Sequence, residues 1–246
     1  MENSTTEALD LQGQAAAFKH IFSFAESMAI KCVLQLGIPD IIHSHHRPLS
    51  LAEIATSLSS PSPDVSSLAR VMRLLVKTQV FTEEFTTTGE ERVYGLTSIS
   101  KWLLRDSDRS LGPLLLVNLH EPLLTPWLRF GECITEGGIP FNKANGCAIW
   151  EFAAKDQSFN QLINSAMASF SPIAILAILD GYKDGLQSLS GTVVDVGSGS
   201  GALMAEIVKR CSDVHGINFY LPHVIASTPE HPQITNIGGS MFVEIP

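Results

Sequence analysis

The stretch Thr192-Val193-Val194-Asp195-Val196-Gly197-Ser198-Gly199-Ser200-Gly201 restricts the folds open to this 246-residue chain more than any other segment. A β-branched run ends on an acidic residue, and three glycines follow at spacing two. Ala202-Leu203-Met204-Ala205-Glu206-Ile207-Val208-Lys209 then reads as a helix. Val and Thr suit a pleated strand, glycine accepts the positive φ of a sharp turn, and a helix start offers bare N–H groups. The spacing predicts strand, glycine turn and helix in succession, a unit of α/β folds that brings a ligand against backbone.

Two ligand chemistries use such a unit. A nicotinamide dinucleotide asks for G-x-G-x-x-G/A, which Gly197, Gly199 and Ala202 satisfy. S-adenosylmethionine asks for an acid two residues before the first glycine, then G-x-G-x-G, which Asp195, Gly197, Gly199 and Gly201 satisfy. A pyrophosphate over the turn would be repelled by Asp195, whereas a sulfonium and an ammonium would be attracted, by ~4 kcal/mol at 4 Å in an effective dielectric of about 20. Asp195 therefore favours S-adenosylmethionine. A nicotinamide oxidoreductase is the weaker alternative, and a purely structural turn a third.

Charge narrows the partners. A net charge of −9 disfavours nucleic acid and anionic membrane surfaces. Cys32, Cys133, Cys147 and Cys211 are scattered without a C-x-x-C pair, which fits free thiols in a reducing compartment. Met1-Glu2-Asn3-Ser4 lacks the basic and apolar regions of a signal peptide. No uninterrupted apolar run reaches ~18 residues, so no membrane span is expected. A cytoplasmic protein follows.

Upstream of the turn the pattern is mainly helical. Phe18, Ile21, Phe22, Ala25, Met28, Ala29, Cys32 and Val33 repeat at three and four from about Leu9 to Leu36, until Gly37-Ile38-Pro39 stops them. That helix is apolar on more than one face, as suits either a central core helix or one shared with a partner subunit. A short helix at Pro39–His43 leads to His43, His45 and His46, which lie in a loop without a further ligand at metal spacing, so no metal is expected. Ser50 and Glu53 form a capping-box pattern, and Val65–Thr78 carries Leu68, Val71, Met72, Leu75 and Val76 on one face. Strands near Val80–Thr82 and Val93–Leu96 complete a winged helix. Arg70, Arg73 and Lys77 share a face of its third helix, but Glu83, Glu84, Glu90 and Glu91 crowd the wing, which favours dimerisation over DNA binding. From Leu103 to Asp184 helices alternate with Pro and Gly breaks. Trp127, Trp150, Phe152, Phe159, Met167 and Phe170 there suit either a core or a pocket for a flat aromatic ligand.

Several longer words resemble one family, the plant class I S-adenosylmethionine-dependent O-methyltransferases that act on flavonoids, isoflavonoids, phenylpropanoids and some alkaloids. Ile21-Phe22-Ser23-Phe24, Lys31-Cys32 and Leu36-Gly37-Ile38-Pro39-Asp40-Ile41-Ile42 look like its dimerisation segment. Tyr94-Gly95-Leu96-Thr97 looks like its wing and Ala166-Met167-Ala168 like its substrate-lining helix. Val194-Asp195-Val196-Gly197, Gly216-Ile217-Asn218-Phe219, Leu221-Pro222-His223-Val224 and Gly238-Gly239 with Met241-Phe242 look like its cofactor segments. The resemblance implies a homodimer, methyl transfer to a phenolic hydroxyl and no metal. It places Met241 on the adenine and puts Trp150 and Met167 in the acceptor pocket.

The chain also departs from that pattern. Tyr220 stands where the family has an aspartate for the ribose hydroxyls, Ser240 where it has one near the adenine, and Phe170 where an acid is usual. The family's general base lies in a His-Asp-Trp segment placed later than Pro246. His223 and His231 sit beside prolines and read as surface residues, so no catalytic residue is assigned. Two cofactor carboxylates are thus missing, and three strands are expected where a methyltransferase sheet has about seven. A catalytically inactive partner that dimerises with a full-length homologue is therefore the second reading. The fold expected is α/β: a winged-helix dimerisation domain over 1–105, a helical substrate-lining segment over 106–190, and part of a Rossmann-like methyltransferase sheet over 191–246. With the family's strand order, the first of those strands would present an apolar edge.

Overall fold

The computed structural model describes residues 2–86, 89, 91–107, 109–199, 201–226 and 228–246, without the side chains of residues 2–9 and His223. Glu90 of the acidic wing, Ser200 of the turn and the His223 ring lie outside the described residues. The chain divides into two compact units, Met1–Met167 and Ala168–Pro246.

The first unit begins with α1 (Glu2–Gln35), ended by Gly37 at φ 69°, a left-handed conformation that costs glycine little. Then come α2 (Ile38–Ser44), β1 (Leu49–Ser50), α3 (Leu51–Ser57), α4 (Val65–Lys77), β2 (Phe81–Phe85) and β3 (Arg92–Leu96). The expected capping box forms: Glu53 N–H donates to Ser50 Oγ at 3.4 Å, and Ser50 N–H to Glu53 Oε2 at 2.8 Å. Arg47 donates to the same carboxylate and, with the Ser50 N–H, holds the Glu53 carboxyl down to about 2. The two wing strands pair antiparallel with Glu83 opposite Tyr94. β1 adds a third strand on β3, Leu49 opposite Tyr94, in the order β1-β3-β2. Two residues carry too little pattern to show in the sequence as a strand. Val33, Ile38, Ile54, Met72, Leu75 and Phe81 fill the core between these elements.

The remainder of this unit is helical: α5 (Ser98–Lys101), α6 (Gly112–Asn118), α7 (Glu121–Leu124), a 3-10 turn (Thr125–Arg129), α8 (Phe130–Glu136), α9 (Pro140–Asn145), α10 (Ile149–Lys155) and the start of the long α11 (Gln157–Gly181), whose residues from Ala168 on belong to the second unit. Phe141, Phe152 and Phe159 form a second core, with the Phe152 and Phe159 rings 5.1 Å apart and edge-on at 87°. The aromatic surplus is thus split, because Trp127 and Trp150 remain 64% and 72% exposed.

Two expectations about helices change. α11 is long and apolar enough to cross a membrane by length and composition alone, although no uninterrupted run met that length. Its Ser and Asn residues break the run without lowering the average much. In this fold Phe159, Ile163 and Ala166 bury into one core while Ile175 and Leu179 bury into another. For α1, only its last turns join the core, through Ala29, Val33 and Leu34. Phe18, Ile21, Phe22 and Phe24 are exposed, which removes the central-core reading for that half of the helix.

The second unit contains α12 (Lys183–Gln187), β4 (Gly191–Val196), α13 (Ala202–Arg210), β5 (Val214–Tyr220), α14 (Pro222–Ile225) and β6 (Ile234–Gly238). The three strands run parallel in the order β4-β5-β6, with Val193 opposite Gly216 and Gly216 opposite Ile234. Met204, Ile207 and Val208 of α13 pack with Val214, Ile175 and Leu179. Gly216 is required there, since a Cβ would lie 2.4 Å from Met204 Cγ. β4 is an edge strand, as expected.

Leu75 is fully buried in the first core. Leu75→Ala is expected to destabilise the first unit by about 2–5 kcal/mol, measured as a lower urea midpoint of far-ultraviolet ellipticity.

Candidate functional site

The site is built at the carboxyl ends of β4, β5 and β6, where parallel sheets leave a crevice for ligands. Beyond Val196 the chain turns over Gly197 (φ 87°), Gly199 (φ 54°) and Gly201 (φ 77°) before α13 starts. Gly197 and Ser198 N–H both donate to Phe219 O on β5, at 2.9 and 3.4 Å, and Gly201 N–H donates to Ser198 O at 2.9 Å. The three glycines serve different ends. A Cβ at Gly197 or Gly199 would meet nothing within 4 Å, so these two leave open space above the turn for a ligand. A Cβ at Gly201 would lie 2.4 Å from Asn218 Nδ2, so this glycine seats the turn on β5.

Charge at the site is arranged for a zwitterionic ligand. Burial pushes the Asp195 carboxyl up, and no hydrogen bond or ion pair is formed by it among the described residues. A cation arriving beside it would recover that desolvation cost. α13 starts at Gly201 without a side-chain cap, so its first N–H groups and dipole are free to meet a carboxylate.

Next to the turn is a small apolar cavity of about 110 Å³, lined by Gly197, Tyr220, Leu221, Ser240, Met241 and Phe242 among others. That volume is well below the ~300 Å³ of a whole drug-sized site, so it takes one flat group of a larger ligand. Gly239 forms its floor, where a Cβ would come within 2.5 Å of the Phe219 ring. The structure therefore brings Gly197, Tyr220, Ser240 and Met241 to one pocket, with Asp195, Gly199 and Gly201 on the adjoining strand end and turn. Leu221, Phe242 and Asn218 stood in the sequence only as parts of the family's cofactor segments, without a role of their own. For Asn218 a signal existed, a polar residue at the centre of the strand Val214-His215-Gly216-Ile217-Asn218-Phe219. Trp150 on α10 and Met167 on α11 belong to the first unit, 72% and 46% exposed. His231 bridges to Ile234 at the start of β6, and its Nδ1 takes the Gln233 N–H at 3.2 Å.

A larger groove, about 1110 Å³, lies in the first unit beside α2 and residues 101–109. Its charged lining is mixed, with Asp40 and Asp106 facing Lys101, Arg105 and Arg109, and it lies at no sheet end. The smaller cavity is the chemically organised one.

Comparison with known proteins decides the family. Residues 18–106 match the O-methyltransferase dimerisation domain, and residues 127–246 match the O-methyltransferase domain. The chain belongs to the O-methyltransferase family. Within it, (R,S)-reticuline 7-O-methyltransferase of Papaver somniferum is 46% identical over 240 residues, 96% of this chain and 68% of that one. Desmethylxanthohumol 6'-O-methyltransferase of Humulus lupulus is 43% identical over 242 residues, 96% of this chain and 69% of that one. Among solved structures, a methyltransferase of calicheamicin biosynthesis in its SAH-bound form aligns at TM-score 0.79 and 21% identity, over 96% of this chain and 68% of that one. Human N-acetylserotonin methyltransferase in complex with SAM aligns at TM-score 0.79 and 17% identity, over 96% and 68%. At such identities the structural match establishes the family's fold.

Adding a Cβ at either Gly197 or Gly201 imposes the left-handed cost of ~1–2 kcal/mol, and at Gly201 an overpacking cost of about 1–3 kcal/mol besides. Gly201→Ala is thus expected to lower the thermal midpoint of the ligand-free protein more than Gly197→Ala does, as differential scanning fluorimetry would read.

Proposed function

We propose that this chain binds S-adenosylmethionine at the β4 turn and serves methyl transfer to a phenolic hydroxyl of a small plant metabolite of flavonoid, phenylpropanoid or alkaloid type. The observation that carries the reading is Asp195, a desolvated and unpaired carboxylate beside an open glycine turn, within a matched O-methyltransferase domain. The residues fit the ligand piece by piece. Asp195 attracts the ammonium and sulfonium, the uncapped start of α13 accepts the carboxylate, and the apolar cavity at Met241 and Phe242 is sized for the adenine. Tyr220 is proposed to meet the ribose side and Ser240 the adenine side, both without charge.

S-adenosylmethionine supplies a methyl group on a sulfonium. What the chain contributes is alignment: the turn fixes the methionine end while Trp150 and Met167 are proposed to line the acceptor pocket. No residue between 1 and 246 is proposed as the base that removes the phenol proton. The protein is proposed to work as a homodimer through residues 1–105, with residues 106–190 as the substrate-lining segment. Phe18, Ile21, Phe22 and Phe24 of α1 support it, an apolar face larger than a lone surface helix leaves open. The scattered cysteines support a reducing, cytoplasmic setting, and the acidic balance disfavours nucleic acid and anionic membrane surfaces as partners.

A second reading is an inactive dimerising partner of a full-length homologue. Tyr220 and Ser240 favour it, since each carboxylate lost from a contact to a ligand hydroxyl or amino group costs ~1.5–3 kcal/mol, about ten- to a hundredfold in affinity. A nicotinamide oxidoreductase gains no support from Asp195.

Isothermal titration of the full chain with S-adenosylmethionine is expected to show binding, and absence of heat at millimolar ligand refutes the assignment. Asp195→Asn should weaken binding ten- to a hundredfold. Wild-type affinity should rise with pH through the raised Asp195 value and level off above it, because the ionised form is the one the cation selects. In the ligand-free protein the sign reverses. Ionising a half-buried, unpaired carboxyl costs stability, so stability falls as pH rises from about 3.9 through the raised value, and Asp195→Asn removes that slope. Sizing chromatography should show a dimer, and Phe22→Glu should shift it toward monomer.

A further inference from the structure

We infer that Asn218 is a positioning residue for the ligand turn, held in place by Asn236; the inference rests on the cofactor reading above. Asn218 is 1% exposed, in the middle of β5, on the row that pairs it with Asp195 on one side and Asn236 on the other. An amide so buried must be anchored by hydrogen bonds or be costly. Here the anchoring has a fixed sense. Pro229 offers only its carbonyl, so Asn236 presents Nδ2 to it at 3.3 Å and turns Oδ1 toward Asn218. Asn218 must then donate, which it does through Nδ2 at 2.9 Å. Its own oxygen is left without a partner.

The same amide supports the turn from below. Nδ2 of Asn218 is the atom that a Cβ on Gly201 would strike, and Thr228 Cγ2 closes the space from another side at 3.3 Å. Gly201 is the cap of α13, so the amide sets the level at which the turn enters the helix. Among the described residues four buried side-chain polar atoms lack a partner, and two belong to this site: Asn218 Oδ1 on β5 and Ser198 Oγ in the turn. Buried polar groups are rarely left unpaired, and a pair of them at one turn marks a place built to receive a donor. That donor is a turn N–H that shifts onto Oδ1, or a group of the ligand. Either way Asn218 works through the turn and performs no chemistry.

The full chain serves as its own control in two measurements. Asn218→Leu keeps the volume but removes both the donor and the free oxygen, and Asn236→Leu removes only the anchor. In hydrogen exchange of the ligand-free protein, Asn218→Leu is expected to speed exchange across 197–203 at least tenfold while β5 and β6 stay protected. In titration with S-adenosylmethionine it is expected to weaken binding about tenfold or more, with the ligand-free thermal midpoint within a few degrees of wild type. Asn236→Leu should act in the same direction, and the double variant should bind no more weakly than Asn218→Leu, because the two act as one unit. Unchanged exchange and affinity in Asn218→Leu overturn the inference, as does a double variant whose losses multiply. Should Asn218→Leu not fold, Asn236→Leu with wild-type exchange and affinity overturns it equally. A wild-type chain that takes up no S-adenosylmethionine defeats the cofactor reading instead, while the exchange measurement still decides the role of Asn218. A loss of exchange protection without one of affinity assigns the missing donor to the turn, and the reverse assigns it to the ligand.

Discussion

The parallel pairing of β4 with β5 is the constraint on which the second unit depends. Val194 opposite Ile217 and Asp195 opposite Asn218 fix the register, and a shift of one residue would send every side chain to the other face. With that register set, Asp195 faces the end of the sheet, Phe219 O lies where the turn's N–H groups can reach it, and Asn218 lies under Gly201. The site is thus a by-product of sheet geometry. The Gly197 and Ser198 N–H groups of the turn take their acceptor, Phe219 O, from β5.

The first unit obeys a different physics. Its winged part is assembled by local rules, a capping box, an amphipathic α4 and a hairpin, around one apolar core. These devices act over a few residues and suit a part that must present a fixed face to another chain. α1 departs from that economy. It keeps an apolar surface along its exposed half that a lone chain cannot bury, and the match of residues 18–106 to a dimerisation domain gives that surface a reason.

Most of the fold was legible in the sequence because its elements are periodic or sharply punctuated. Gly37, Ser50 with Glu53, and the strand at Thr192 are all signals contained within a few residues. β1 was invisible because a two-residue strand exists only through its partner Tyr94. The length of α11 as an apolar helix was missed because Ser and Asn interrupt the run and Pro172 reads as a break, whereas the helix carries Pro172 inside it. In the site, the glycine turn and Asp195 stand out by spacing alone. The pocket could not be read the same way, since Gly239 against Phe219, or Asn218 under Gly201, are contacts between residues tens of positions apart. Tyr220 and Ser240 stood out only against the family pattern, and their meeting in one cavity needed coordinates.

The fit of Gly201 over Asn218 carries a consequence for how this sequence can drift. With 2.4 Å between the imagined Cβ and the amide, the two positions share one volume. A lineage that gains a side chain at 201 has to shrink residue 218 or release its bond to Asn236, and one that enlarges 218 is confined to glycine at 201. The turn, the strand beneath it and the anchoring residue are therefore sterically coupled, so a change at one calls for a compensating change at another.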